Sequence, residues 1–106
     1  AYINVIGGLR IDEPASDLAV AMALISSLRD KVVPDDLIAI GELGLSGEVR
    51  AVSNLEQRIK EAARLGFTKA IVPYRNLEKR KIDCGIELIG VQSIYDTLKL
   101  LTDIKE

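Results

Sequence analysis

"IGELGLSGEVRAVSNLEQRIKEAARLGFTKAIVP", residues 40–73, holds a turn-rich segment, a helix and a strand in one run. Gly41, Gly44 and Gly47 break any long regular element at its start. Ser46-Gly47 predicts a hairpin turn leading into the strand that begins at Glu48. "SNLE" at 53–56 has the pattern of a capping box, with the Ser53 oxygen accepting from the Glu56 N–H and the Glu56 carboxylate reaching back. Leu55, Ile59, Ala62 and Ala63 then fall on one helical face. Gly66 is a left-handed stop, and "KAIVP" reads as a short buried strand.

The pattern extends in both directions. "LIAI" at 37–40 is a strand. Before it, "DEPASDLAVAMALISSLRD" at 12–30 predicts a helix from about Pro14 to Arg29. Asp12 or Glu13 can cap it, and Pro14 sits in the first turn, where a missing N–H costs nothing. Leu18, Met22, Ile25 and Leu28 share a face, and Asp30 and Pro34 end the helix. "YINVIGGLRI" at 2–11 is a strand with a turn or bulge at Gly7-Gly8. Beyond residue 73, "YRNLEKRKIDCG" is a polar connection with room for one helical turn, and residues 75–85 are the only candidate linker. "IELIGV" is another strand. Ser93 to about Leu101 is a last helix, with Ile94, Leu98 and Leu101 spaced for burial and Asp96 in its first turn. The expected fold is α+β, one domain over residues 1–106 with helices packed on a mixed β-sheet.

Composition narrows the chemistry. Just under half of the 106 residues are apolar, and only four are aromatic, so Ile, Leu, Val and Ala must build the core. Net charge is −2, with no strongly basic footprint for nucleic acid. Histidine is absent and Cys84 is the single cysteine, which excludes His-based catalysis, a thiolate zinc site and an internal disulfide. No catalytic residue and no metal site is assigned. The lone cysteine favours a reducing compartment, hence a cytoplasmic location. No run of about 18 apolar residues is present to span a membrane. "AYINVIGG" begins as a strand already under way, and the chain is expected to be a fragment of a longer protein whose domain is truncated at its N-terminal side.

Two blocks, "DEPASDLAVAMALISSLRD" and "IGELGLSGEVRAVSNLEQRIKEAARLGFTKAIVP", resemble the proteolytic domain of the Lon protease family from about Ile3 to Pro73. In that family an Asp-Gly-Pro-Ser-Ala-Gly run carries the nucleophilic Ser. A Gly-Glu-x-x-x-x-Gly-x-Val segment then leads to a helix bearing the Lys that activates it. Asp12 and Pro14 match the first motif, and Gly41, Glu42, Gly47 and Val49 the second. The resemblance places Ala15 at the Ser position and Arg58 at the Lys position. A Ser–Lys dyad needs an alcohol beside a neutral amine. Alanine has no oxygen, and arginine stays protonated at any working pH. Ser16 is one residue along, a rotation of about 100°, and reads as a helix-start hydroxyl. A protease reading would need Ser16 or Ser46 with Lys60.

"INVIGGLRIDEPASDLAVAMALISSLRD", "GELGLSGEVRAVSNLEQRIKEAARLGF" and "GIELIGVQSI" resemble, nearly end to end, the C-terminal Lon-like domain of the RadA (Sms) family of bacterial DNA-repair proteins. That resemblance implies a zinc finger and a RecA-like ATPase core elsewhere in the chain, with zinc, ATP and magnesium held there. It implies a DNA-dependent ATPase of recombination and DNA damage repair, driving branch migration, whose Lon-like domain supports a hexameric ring and helps engage DNA. No cofactor is expected in residues 1–106, because "IGELGLSG" lacks the Gly-Lys-Ser/Thr of a phosphate loop. A related alternative is a Lon-like domain of the ComM or magnesium-chelatase type, which shares the Gly-Glu-Leu-x-Leu-x-Gly run. A pure protein-interaction scaffold is another.

Two basic features are candidates for DNA contact. By analogy with Lon rings, Arg58 faces a central channel with Arg10 and Arg50 nearby, where arginine would meet phosphate. The alternative is an ion pair of Arg58 with Glu42 or Asp12. The second feature is Arg75, Lys79, Arg80 and Lys81, with Tyr74 beside them to stack on a base. The alternative there is a solvated loop and a packing tyrosine. Glu42 with Asp12 could be paired carboxylates, but no second catalytic group accompanies them, and structural roles fit better. Cys84 is incidental.

Overall fold

"KAIVP" becomes the middle strand of a parallel sheet. The computed structural model describes residues 5–6, 9–10, 14–30, 33–79 and 85–103, without the side chains of 5, 6, 9, 10, 14, 79, 102 and 103. Strand β6 (Lys69–Pro73) pairs with β3 (Leu37–Ala39) on one side and β7 (Glu87–Val91) on the other, with Ile38 opposite Ala70 and Ile71 opposite Ile89. Burial on both faces explains why β6 reads as a continuous apolar run rather than an alternating one. Among the described residues two antiparallel ribbons are also formed, β1 (Val5–Ile6) with β2 (Leu9–Arg10) and β4 (Glu42–Leu43) with β5 (Val49–Arg50). The α+β class is observed; among the described residues the sheet is a three-stranded parallel one, and the β4–β5 ribbon joins the chain just after β7 through an antiparallel bridge between Glu48 and Ser93.

Alternation along the strands divides the core in two. Ile38, Ile40, Ala70 and Val72 face α2 (Leu55–Arg64) through Leu55, Ile59 and Ala62. Ala39 and Ile71 face α1 (Asp17–Leu28) and α4 (Ile94–Asp103) through Leu18, Ala19, Met22 and Leu101. Helices therefore cover both sheet faces. The short α3 (Tyr74–Lys79) lies on the α2 side, where Leu77 packs against the first cluster. Residues 75–79 are thus helical rather than linker.

Helix ends show where local reading held. Gly66 is left-handed, as expected. The α2 start differs: Asn54, not Ser53, is the N-cap, in a left-handed conformation with no side-chain cap bond. Asparagine tolerates that conformation, so the helix begins one residue later. Glu56 instead pairs with Lys60 at 3.4 Å, one turn on. A reciprocal cap does form at α4, where the Asp96 N–H donates to Ser93 Oγ and the Asp96 carboxylate accepts from the Gln92 N–H at 2.8 Å. At α1 a 3-10 turn, Pro14–Ser16, runs into the helix, and Asp30 is left-handed after its end. Asp12 and Glu13, the expected caps, and Gly7-Gly8 lie outside the described residues. Leu28, expected on the buried face, is 86 % exposed. The sheet contacts run out after Met22 and half-buried Ile25, and the last turn overhangs.

Candidate functional site

The start of α1 is tied to the end of β3 by backbone bonds. Gly41 N–H donates to the Ala15 carbonyl at 2.8 Å, and Leu18 N–H to the Gly41 carbonyl at 3.0 Å. The Asp17 carboxylate accepts from the Leu43 N–H at 3.1 Å, holding β4 to the same turn. These bonds press Ala15 into the apolar cluster that contains Leu55 and Ile59, on either side of Arg58 along α2. The 3-10 turn that leads into α1 therefore contributes to the same apolar cluster as the helix bearing Arg58, while α1 itself packs on the other face of the sheet. Ala15 is 6 % exposed and has no heteroatom on its side chain. Ser16 is fully buried and already partnered. Arg58 folds back along its own helix, its Nε donating to the Ser53 carbonyl at 3.3 Å. Glu42, the proposed ion-pair partner of Arg58, instead sits 3.7 Å from Arg50. Asp12, the other proposed partner, lies outside the described residues. Ser46 is exposed in the hairpin turn, its N–H bonded to Glu48.

The basic candidates separate in space. Arg50 on β5 and Arg75 on α3 line one cleft of about 540 Å³, together with Ala51, Glu48 and Glu78. Arg58 does not line it. Arg10 is on β2 and Lys79 ends α3, but their side chains are not described; Arg80, Lys81 and Cys84 lie outside the described residues. Tyr74 is 43 % exposed at the start of α3.

Asn76 joins the two elements that border this cleft, and nothing in its local sequence marks it. Its Oδ1 accepts from the Val52 N–H and its Nδ2 donates to the Val52 carbonyl, both at 2.9 Å. This pair of hydrogen bonds to one residue's backbone ties α3 to the segment just after the strand that carries Arg50. Glu48 is a second residue that local sequence does not single out. Its carboxylate accepts from the Ser46 N–H at 3.1 Å and lies 3.4 Å from Arg50 Nη2. The Glu48 carboxyl is held below its usual value, first by a hydrogen bond from its own backbone N–H. Partial desolvation opposes this, and the Ser46 N–H and Arg50 lower it further.

Two smaller cavities, of about 170 and 120 Å³, are lined mainly by apolar side chains around Met22 and Leu37. No helix among the described residues is long and apolar enough to cross a membrane. Among those residues, no group of His, Cys, Asp and Glu side chains is arranged to hold a metal ion.

Comparison with known proteins places this architecture. The model of the family described as "Subunit ChlI of Mg-chelatase" matches residues 3–76. Proteins named DNA repair protein RadA are similar along almost the whole chain. The Halalkalibacterium halodurans protein is 48 % identical over 94 % of this chain, that of Escherichia coli 43 % over 97 %, and that of Synechocystis 53 % over 89 %. This chain spans 22 %, 22 % and 17 % of those relatives' lengths, about a fifth. The chain therefore belongs to the family that the ChlI model describes, and is similar to one segment of the DNA repair protein RadA sequences.

Proposed function

We propose that the chain is a non-catalytic Lon-like domain of a RadA-type DNA-repair ATPase, working in the cytoplasm, where it supports a hexameric ring and engages DNA during recombination. The observation that carries this reading is the 43–53 % identity to RadA proteins over nearly all of the chain. Zinc, ATP and magnesium belong, on this reading, to other segments of the longer protein.

The loss of proteolysis rests on local chemistry. On this reading Ala15 and Arg58 take the places of nucleophile and base; Ala15, in the turn that leads into α1, shares an apolar cluster with Leu55 and Ile59 of the helix that carries Arg58. Buried Ala15 offers no attacking oxygen, and Ser16 is closed to substrate. We expect Ala15→Ser with Arg58→Lys to leave peptidase activity at background, because the core has closed over residue 15. Rapid turnover of a fluorogenic peptide by that double variant would contradict it.

The assembly role is supported by α1, where Leu24 and Leu28 stand 62 % and 86 % exposed one turn apart. Adjacent apolar side chains of this size mark contact surfaces better than scattered ones do. The family model's name keeps the magnesium-chelatase type as the second reading. A RecA-like core upstream in the longer chain supports the first, and an AAA+ core downstream the second.

The deciding experiment compares DNA binding by the full-length protein with and without residues 1–106 across a salt series. Lower affinity with a flatter salt slope on deletion means that this domain meets phosphates. Affinity falling only in step with loss of the hexamer makes it an assembly scaffold.

A further inference from the structure

We propose that the cleft between the β4–β5 hairpin and α3 binds one phosphodiester of a nucleic-acid strand between Arg50 and Arg75, and that Glu48 is its built-in competitor. This deepens the DNA-engaging reading above and rests on it.

Guanidinium groups suit phosphate because their planar N–H forks match its oxygens. Two of them line this cleft from elements far apart in sequence. Asn76 fixes that arrangement by its paired bonds to Val52. The two arginines differ in state. Among the described residues Arg75 has no ion-pair partner, while Arg50 lies 3.4 Å from Glu48 and 3.7 Å from Glu42. A phosphate entering the cleft finds Arg75 available and must take Arg50 from Glu48.

The hairpin makes that exchange small. One Glu48 oxygen, Oε1, serves the Ser46 N–H, and the other, Oε2, faces Arg50. Glu48 can give up Arg50 without leaving the turn. Gly44 is what admits the carboxylate there, since a Cβ at residue 44 would overlap it. The Glu48 position is thus built into the glycine pattern of the hairpin, and the pair that it forms is exposed and weak. Glu48 and Glu78 balance Arg50 and Arg75 in the lining, so a single copy attracts a strand only locally. Repetition around an assembly multiplies such contacts.

The test uses the full-length protein, an oligo-dT strand and fluorescence anisotropy across a salt series. Arg75→Ala is expected to weaken binding and to reduce the log–log salt slope by about 0.7 for each single-strand phosphate left without its cation. Glu48→Gln keeps an acceptor for the Ser46 N–H and releases Arg50 from its closer carboxylate, leaving the 3.7 Å approach of Glu42. It is expected to tighten binding by up to about fivefold, the equivalent of an exposed ion pair. A gain cannot come from unfolding, so this variant guards against a trivial loss. A parallel arm measures competition by free dTMP and by pyrophosphate. If Arg75→Ala weakens those ligands but not the strand, the cleft serves free phosphates and the proposal fails. If both variants leave strand affinity unchanged while deletion of residues 1–106 lowers it, the cleft is wrong but DNA engagement stands. If that deletion changes nothing, DNA engagement fails as well.

Discussion

Leu18→Ala is expected to lower stability by about 3 to 5 kcal/mol, near the top of the range for a buried leucine. Leu18 is fully buried among Met22, Val49, Ile71, Val91 and Leu101. It also fills the space that a side chain on Gly41 would need, with its Cδ2 and Cβ 3.2 and 3.4 Å from that point. The cavity left by alanine has little freedom to collapse, because the Leu18 N–H and the Ala15 carbonyl both bond to Gly41 and fix the helix against the strand. Domains of this size are stable by only about 5 to 15 kcal/mol, so the urea midpoint should fall by a large fraction. Leu28→Ala, at the overhanging end of the same helix, is the matched control and should cost no more than about 0.5 kcal/mol. Equal midpoints for the two variants would mean that α1 packs by another face.

That contrast shows how far the sequence can be read. Leu18, Met22, Ile25 and Leu28 share one helical spacing, and spacing correctly marks a face. It carries no information on how far the sheet extends beneath that face, which is a property of β3 and β7. Elements whose cause is local are legible: β6 from its apolar run, the α2 face, the left-handed Gly66, the hairpin around Ser46-Gly47. The α2 cap is not, because Ser53 and Asn54 both cap helices well, and the tie is broken by the entering backbone. The site is legible only as a set of basic residues. Arg50 and Arg75 belong to separate features in the sequence, and they line one cleft because a side chain on α3 bonds the backbone of one residue ahead of α2. No local pattern encodes such a bond. Arg58, the residue that the Lon-like motif points to, bonds to Ser53 just ahead of its own helix and takes no part in that cleft.

Asn76→Ala should therefore be the most informative change near the cleft. It removes both 2.9 Å bonds and leaves the half-buried Val52 N–H and carbonyl without their partner. At about 1 to 2 kcal/mol for each orphaned group, the loss is about 2 to 4 kcal/mol. A helix of six residues has no stability of its own in water, so α3 would be left with the packing of Tyr74 and Leu77 beside Gly90 and the core. Hydrogen exchange should rise at the Val52 amide and along residues 74–79, with the core of β6 still protected. Unchanged protection at Val52 would show that the bond does not hold α3. The functional consequence follows from the same geometry. Asn76→Ala keeps Arg75 but releases it from its place opposite Arg50, so DNA affinity and salt slope in the full-length protein should fall about as far as in Arg75→Ala. Combining the two changes should lower DNA affinity little further, because both remove one and the same phosphate contact, whereas independent effects would add.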